Sequence, residues 1–205
     1  MMLLAAVVPR EAVLVGTELH RRDVGPVAVL YEERSEAPTE EPSAVVEHGR
    51  RMVALAEKVP LLPIRYGTTV ADGQELDELA EQRADEWSRR LAHLAGRCEL
   101  LVHLDLHDLT APTGPAESGR AYLEARMARL RRHEQLVADV RRVLEPWTDE
   151  TRVLPDRRRL AVLVEREDAA TACEALAAWG EGQCDLAVST SGPWPPFSFC
   201  EEDPT

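Results

Sequence analysis

The chain is poor in basic charge and in long apolar runs. Its formal net charge is −13 and its pI is near 4.9, which leaves little basic surface for non-specific contact with nucleic acid or anionic lipid. No run of about 20 apolar residues is present to span a bilayer as a helix. The apolar residues 3–8 are too few, and lack the basic flank, to act as a secretory signal. We therefore expect an acidic cytoplasmic protein with no nucleic-acid or lipid-membrane partner. There is one lysine, Lys58, and no asparagine; this reads as coding composition, and no function is attached to it. Cys98, Cys173, Cys184 and Cys200 form no C-x-x-C pair, so reduced, mostly packed thiols are expected rather than disulfides or zinc ligands. Also missing are a G-x-x-x-x-G-K-[ST] loop, a dinucleotide G-x-G-x-x-G, H-E-x-x-H and G-x-S-x-G, and with them the usual grounds for expecting an enzyme or a cofactor.

The chain does have material for a core. With 205 residues, 44% of them hydrophobic, it can bury one large core or two small ones. We expect an α+β fold of two small domains, bridged by an amphipathic helix. Residues 1–72 form the first domain. β-rich apolar runs at 3–8, 12–16 and 27–31 predict three strands. Pro42 suits the first turn of a helix, in which Val45, Met52, Val53 and Ala56 recur at helical spacing. Residues 61–67 read as a fourth strand, placed at an edge or bulge by Pro63. The stripe Leu76, Leu79, Ala80, Ala84, Trp87, Leu91 and Leu94 predicts the bridging helix, residues 73–96, ended by Gly96. Residues 97–190 then read strand, long helix, short strand at 152–154, strand, helix, strand: the βαββαβ order of a ferredoxin-like domain. Residues 191–205 are a Pro/aromatic tail.

Three places are candidates for function. Arg65 alternates with Ile64 and Tyr66, and a guanidinium there can hold a carboxylate; without a second basic residue or a glycine-rich loop, an ion pair inside the protein is the better expectation. His48, alone in a helix, is expected to be packed or capped. On the predicted strand at 98–106, His103, Asp105 and His107 share one face, and Val102, Leu104 and Leu106 the other. Two histidines around a carboxylate are a possible metal or ligand face, but a solvated sheet face gives the same alternation.

The last stretch, Ser191-Gly192-Pro193-Trp194-Pro195-Pro196-Phe197-Ser198-Phe199, packs three prolines and three aromatics into nine residues. Proline fixes φ and restricts the residue before it, so the segment loses little entropy on docking. Trp194 and Phe197 are expected to anchor it on the protein's own sheet; a strip for a partner is the alternative.

Gly192-Pro193-Trp194-Pro195-Pro196-Phe197-Ser198-Phe199 resembles the C-terminal signature of the GvpL/GvpF family of gas vesicle proteins, which usually has Tyr at Phe197. In the same order as that family's other motifs stand His48, Pro63-Ile64-Arg65-Tyr66-Gly67-Thr68, Gly96-Arg97-Cys98-Glu99 and Gly119-Arg120-Ala121-Tyr122-Leu123. The resemblance covers the chain from about Pro42 to Phe199. It implies a ferredoxin-like C-terminal domain, and a structural or partner-binding role for His48, Pro63, Arg65, Tyr66, Gly67, Gly119, Tyr122, Leu123, Gly192, Pro193, Trp194, Pro195, Pro196 and Phe197. It further implies an accessory or minor structural protein needed for gas vesicle formation, with the hydrophobic shell protein and other gas vesicle proteins as partners, located at the vesicle or in the cytoplasm. The competing expectation is a small α+β enzyme or metal/ligand-binding module using His103, Asp105 and His107.

Overall fold

The computed structural model describes residues 1–39, 41–106, 119–148, 150–156 and 158–200. The chain divides into two compact units, Met1–Cys98 together with Trp194–Thr205, and Glu99–Pro193.

The first unit is organised on β1 (Met2–Pro9), buried at all six of its inner positions. A strand with no polar face must be central and covered on both sides. β3 (Val27–Glu33) pairs with it antiparallel on one edge, with Val7 opposite Val29 and Pro9 opposite Val27. β4 (Leu62–Pro63) and β5 (Thr69–Val70) pair antiparallel on the other. β2 (His20–Val24) lies beyond β3, giving the order β2-β3-β1-β4 with β5 also on β1. Helix α1 (Pro42–Ala56) opens with proline in its first turn and buries His48, Met52 and Leu55; the last two join Ala6, Val8, Ala28 and Leu30 in one cluster. The alternate residues Val7, Val27 and Val29 are also buried and face the other side, where α2 (Gly73–Leu94) packs on the sheet. Asp72 caps α2 by accepting from the backbone N–H groups of Gln74 and Glu75 at 2.9 and 3.1 Å. Gly96, at φ 81°, supplies the left-handed residue that ends it. Six buried side chains of α2, Trp87 among them, hold it more firmly than its cap: fully burying one large apolar group is worth about 1.5–3 kcal/mol, a cap about 1 kcal/mol.

Several expectations change here. Residues 12–16 are not a strand: Ala12 N–H donates to Pro9 O at 3.0 Å and the chain turns away, leaving Ala12 and Leu14 against the core and Val13 and Val15 exposed. The sheet instead uses β2, whose sequence HRRDV is exposed at four of five positions. On α1 the apolar face runs through His48, Met52 and Leu55, while Val45 is exposed. The fourth strand is cut to two residues at β4, and the chain then turns before β5. The helix expected as a bridge, α2, is grouped with the first unit.

The second unit runs β6 (Arg97–Leu106), α3 (Gly119–Leu144), β7 (Thr151–Val153), β8 (Arg159–Glu165), α4 (Ala169–Glu181) and β9 (Leu186–Trp194), with sheet order β7-β8-β6-β9. This βαββαβ order is compatible with a ferredoxin-like arrangement. The short strand β7 is present, with Thr151 opposite Val162 and Val153 opposite Leu160 in an antiparallel ladder. β8 is the most buried strand of the sheet, Leu160 to Val164 all being inside. α3 packs through its C-terminal half only, burying Leu136, Val137, Val140 and Leu144. Its Arg132 reaches Asp185, just ahead of β9, through two bonds of 3.0 and 2.8 Å. α4 crosses β9 so closely at Gly180 that a Cβ there would lie 2.9 Å from Val188 Cβ. β9 runs on through Gly192 and Pro193 as an edge strand, where a missing N–H is tolerated. The described helices include none long and apolar enough to cross a membrane.

Candidate functional site

The histidine motif and the Pro-Ile-Arg-Tyr-Gly-Thr motif come together in the first unit. His48, buried to 7% exposure, aims Nε2 at Ile64 O, 3.1 Å away. A carbonyl oxygen only accepts, so Nε2 carries the proton and donates. The imidazole also lies against the Tyr66 ring, centroids 5.4 Å apart and planes tilted by 57°. Burial holds its pKa below the ordinary 6.5, partly offset by the bond to Ile64; it is a neutral clamp, packed as expected.

The clamp fixes a turn. Ile64 N–H donates to Ala5 O at 2.9 Å and Leu4 N–H to Thr68 O at 2.9 Å, so β1 grips both ends. Between them, Thr68 donates to Arg65 O through its N–H at 3.2 Å and its hydroxyl at 2.8 Å. Gly67, third in the turn with φ 92°, occupies the position where a type II turn needs positive φ. Pro63, buried in β4, pairs with Ala6. Arg65 is exposed, and among the described residues its guanidinium makes no hydrogen bond or ion pair. This overturns the expected internal pair: Arg65 is the first corner of a turn, not one face of a strand.

The remaining motif residues divide between core and surface. At the start of α3, Gly119 is exposed, Tyr122 is 56% and Leu123 59% exposed, and Met127 follows at 49%. In the tail, Gly192, Pro193, Trp194 and Phe197 are exposed while Pro195, Pro196 and Phe199 are buried. The anchor is therefore Phe199, at 2% exposure, and not Trp194 or Phe197, at 36% and 42%. A short 3-10 turn, Phe197–Phe199, swings Phe199 inward. Which aromatic of the tail turns inward is set by this turn, so the residue pattern alone does not single out Phe199.

On β6, Val102 and Leu104 are buried, His103 is half-buried and Asp105 exposed; His107 lies outside the described residues. Among the described residues no group of three or more His, Cys, Asp or Glu is placed to hold a metal ion. Of the four cysteines, expected to be mostly packed, Cys98 is buried, Cys173 and Cys200 are half-buried and Cys184 is exposed. A cleft of about 390 Å³ in the first unit is lined by Glu18, His20, Glu32, Arg51 and Lys58, but Glu32 is already paired with both Arg51 and Arg34.

Fold and site together define a two-unit α+β protein that displays its distinctive residues on an edge turn, a helix tip and a proline-rich tail. The chain belongs to the gas vesicle synthesis protein GvpL/GvpF family, whose model matches residues 8–201. Its fold is that of the gas vesicle protein GvpF from Anabaena sp. PCC7120, with a TM-score of 0.78 at 17% identity over 98% of this chain and 96% of that one. GvpF from Microcystis aeruginosa is similar, with a TM-score of 0.76 at 15% identity over 98% and 99% of the two chains. No curated protein sequence matches the chain.

Proposed function

We propose that this protein assists the building of gas vesicles by binding the small hydrophobic shell protein before it is assembled, in the cytoplasm and alongside other gas vesicle proteins. The observation that carries the reading is where the family motifs lie: Arg65, Tyr122, Leu123, Trp194 and Phe197 are all exposed, although four of the five are large apolar or aromatic groups that a core would take. An unassembled shell subunit exposes strand edges and aliphatic surface, and edges add strands from other chains. A carrier with short edge strands of its own can cover such an edge, and its charge of −13 keeps the complex dispersed.

The test is a clean deletion combined with affinity capture of co-expressed shell protein on the tagged full chain. Loss of vesicles and retention of the shell protein are expected. Normal vesicles in a strain with no second member of the family would refute the reading.

A further inference from the structure

The second unit has a groove between an edge strand and a helix. Its volume is about 620 Å³, with His133, Glu134, Val137 and Arg141 of α3 on one wall and Val153, Leu154 and Pro155 on the other. β7 is the end strand of its sheet, and its hydrogen bonds show which way its backbone points. Leu154 N–H donates to Arg159 O at 2.9 Å, and Glu150 O accepts from Leu163 N–H at 3.1 Å. In an antiparallel ladder such inward-facing residues alternate with outward-facing ones. Thr151 and Val153 therefore turn their N–H and C=O groups away from β8, towards the groove's open side.

The groove also has a chemical character. Val153 is 41% exposed and shares the cleft with Val137 and Leu154, which gives it an apolar floor. Arg141 Nε donates to Thr151 Oγ1 at 2.8 Å, which places the Thr151 and Val153 side chains on the α3 side. The two terminal nitrogens of Arg141 make no hydrogen bond among the described residues, and His133 Nε2 is buried without a partner. A ligand that fits all of this has a main chain to pair with Thr151 and Val153, an apolar side chain for the floor and a carboxylate for Arg141.

We propose that this groove accepts an extended segment of a partner chain as an added strand on β7, with an apolar side chain set against Val137, Val153 and Leu154 and an acidic side chain at Arg141. The inference rests on the reading above, under which the shell protein supplies that segment. Strand addition draws affinity from main-chain bonds and specificity from the alternate side chains, and an added strand lies about 4.8 Å from its neighbour.

Two full-length variants test it. Val153→Pro removes an outward N–H without breaking the β7–β8 ladder, and Val153→Asp places a charge on the floor. Val15→Asp, on the exposed loop of the first unit, is the control. Capture of co-expressed shell protein should fall at least tenfold in both Val153 variants and be unchanged in the control, with all three retaining the parent's circular dichroism and melting curve. In the complex, amide exchange at Thr151 and Val153 should slow at least tenfold. If parent and Val153 variants retain the shell protein equally, or these two amides are unchanged in the complex, the groove is not the site and the functional reading stands. If the parent itself retains no shell protein, the functional reading fails and the groove assignment falls with it. Should Val153→Pro not fold, Val153→Asp and the exchange measurement decide.

Discussion

The imidazole of His48 donates through Nε2 to the carbonyl oxygen of Ile64 at 3.1 Å, and so fastens a helix to the strand end from which the Arg65–Thr68 turn springs. The ring is neutral, and burial disfavours its charged form. The folded-state pKa is thus below the unfolded value, so the unfolded chain binds the proton more tightly and acid favours unfolding. This part of the stability is complete above about pH 6.5 and is lost as the pH falls through that value towards the folded pKa. Urea unfolding at pH 7.5, 6.5 and 5.5 should show that decline, and His48→Gln should flatten it. His48→Ala should cost about 1–3 kcal/mol at pH 7.5, since the Ile64 carbonyl loses its donor.

Arg65 behaves in the opposite way. With its guanidinium in solvent, Arg65→Ala should change stability by no more than about 0.5 kcal/mol. The same variant should retain less shell protein if the turn is a recognition element. A clear drop in melting temperature would show that the arginine is tied down inside the protein after all.

The tail predicts a graded series. Phe199→Ala should destabilise by about 3–5 kcal/mol, as buried aromatic truncations do. Trp194→Ala and Phe197→Ala, more than a third exposed, should each cost less, about 1–2 kcal/mol. Melts of the three proteins decide; equal losses would mean that the aromatic groups share one seat.

The tip of α3 separates surface from scaffold. A Tyr122→Ser, Leu123→Ser double variant should melt within about 0.5 kcal/mol of the parent, because neither ring nor methyls are buried. Arg132→Lys should cost more, about 1 kcal/mol, because an ammonium cannot reproduce the two-point bond to Asp185. Denaturant titration of both orders them, and a reversal would place the tip inside a contact.

The parts of the fold readable from sequence were those whose pattern has a single physical cause. β1 and β8 are apolar at every inner position because both faces are covered, and α2 carries an unbroken helical stripe because one face lies on a sheet. β2 was missed because an edge strand needs no apolar face. Its signal was Gly25-Pro26, a two-residue loop with φ 55° at Gly25 between Val24 and Val27, which pair across it, as a hairpin turn with glycine first requires. Residues 12–16 misled for the converse reason, being apolar with no strand edge to join. In the candidate site, the pairing of His48 with the Arg65 turn was not legible, since 16 residues separate His48 from Ile64 and only the register on β1 brings them together. The motif order was legible, and so was the family; which motif residues are buried depended on one 3-10 turn.

The chain passes out of the first unit after Cys98 and rejoins it at Trp194, so the second unit is an insertion in the first. During synthesis at about 5–20 residues per second, the β1 sheet and both of its helices emerge well before Pro195, Pro196 and Phe199 exist. The interval is on the order of 5–20 s at that rate, long compared with the collapse of the sheet. For that time the nascent first unit lacks Pro195, Pro196 and Phe199, all buried in the finished protein, and only translation of the last residues supplies them. The final turn of this protein is thus the last piece of a domain begun first, and a message truncated anywhere in the second unit yields a first unit without it.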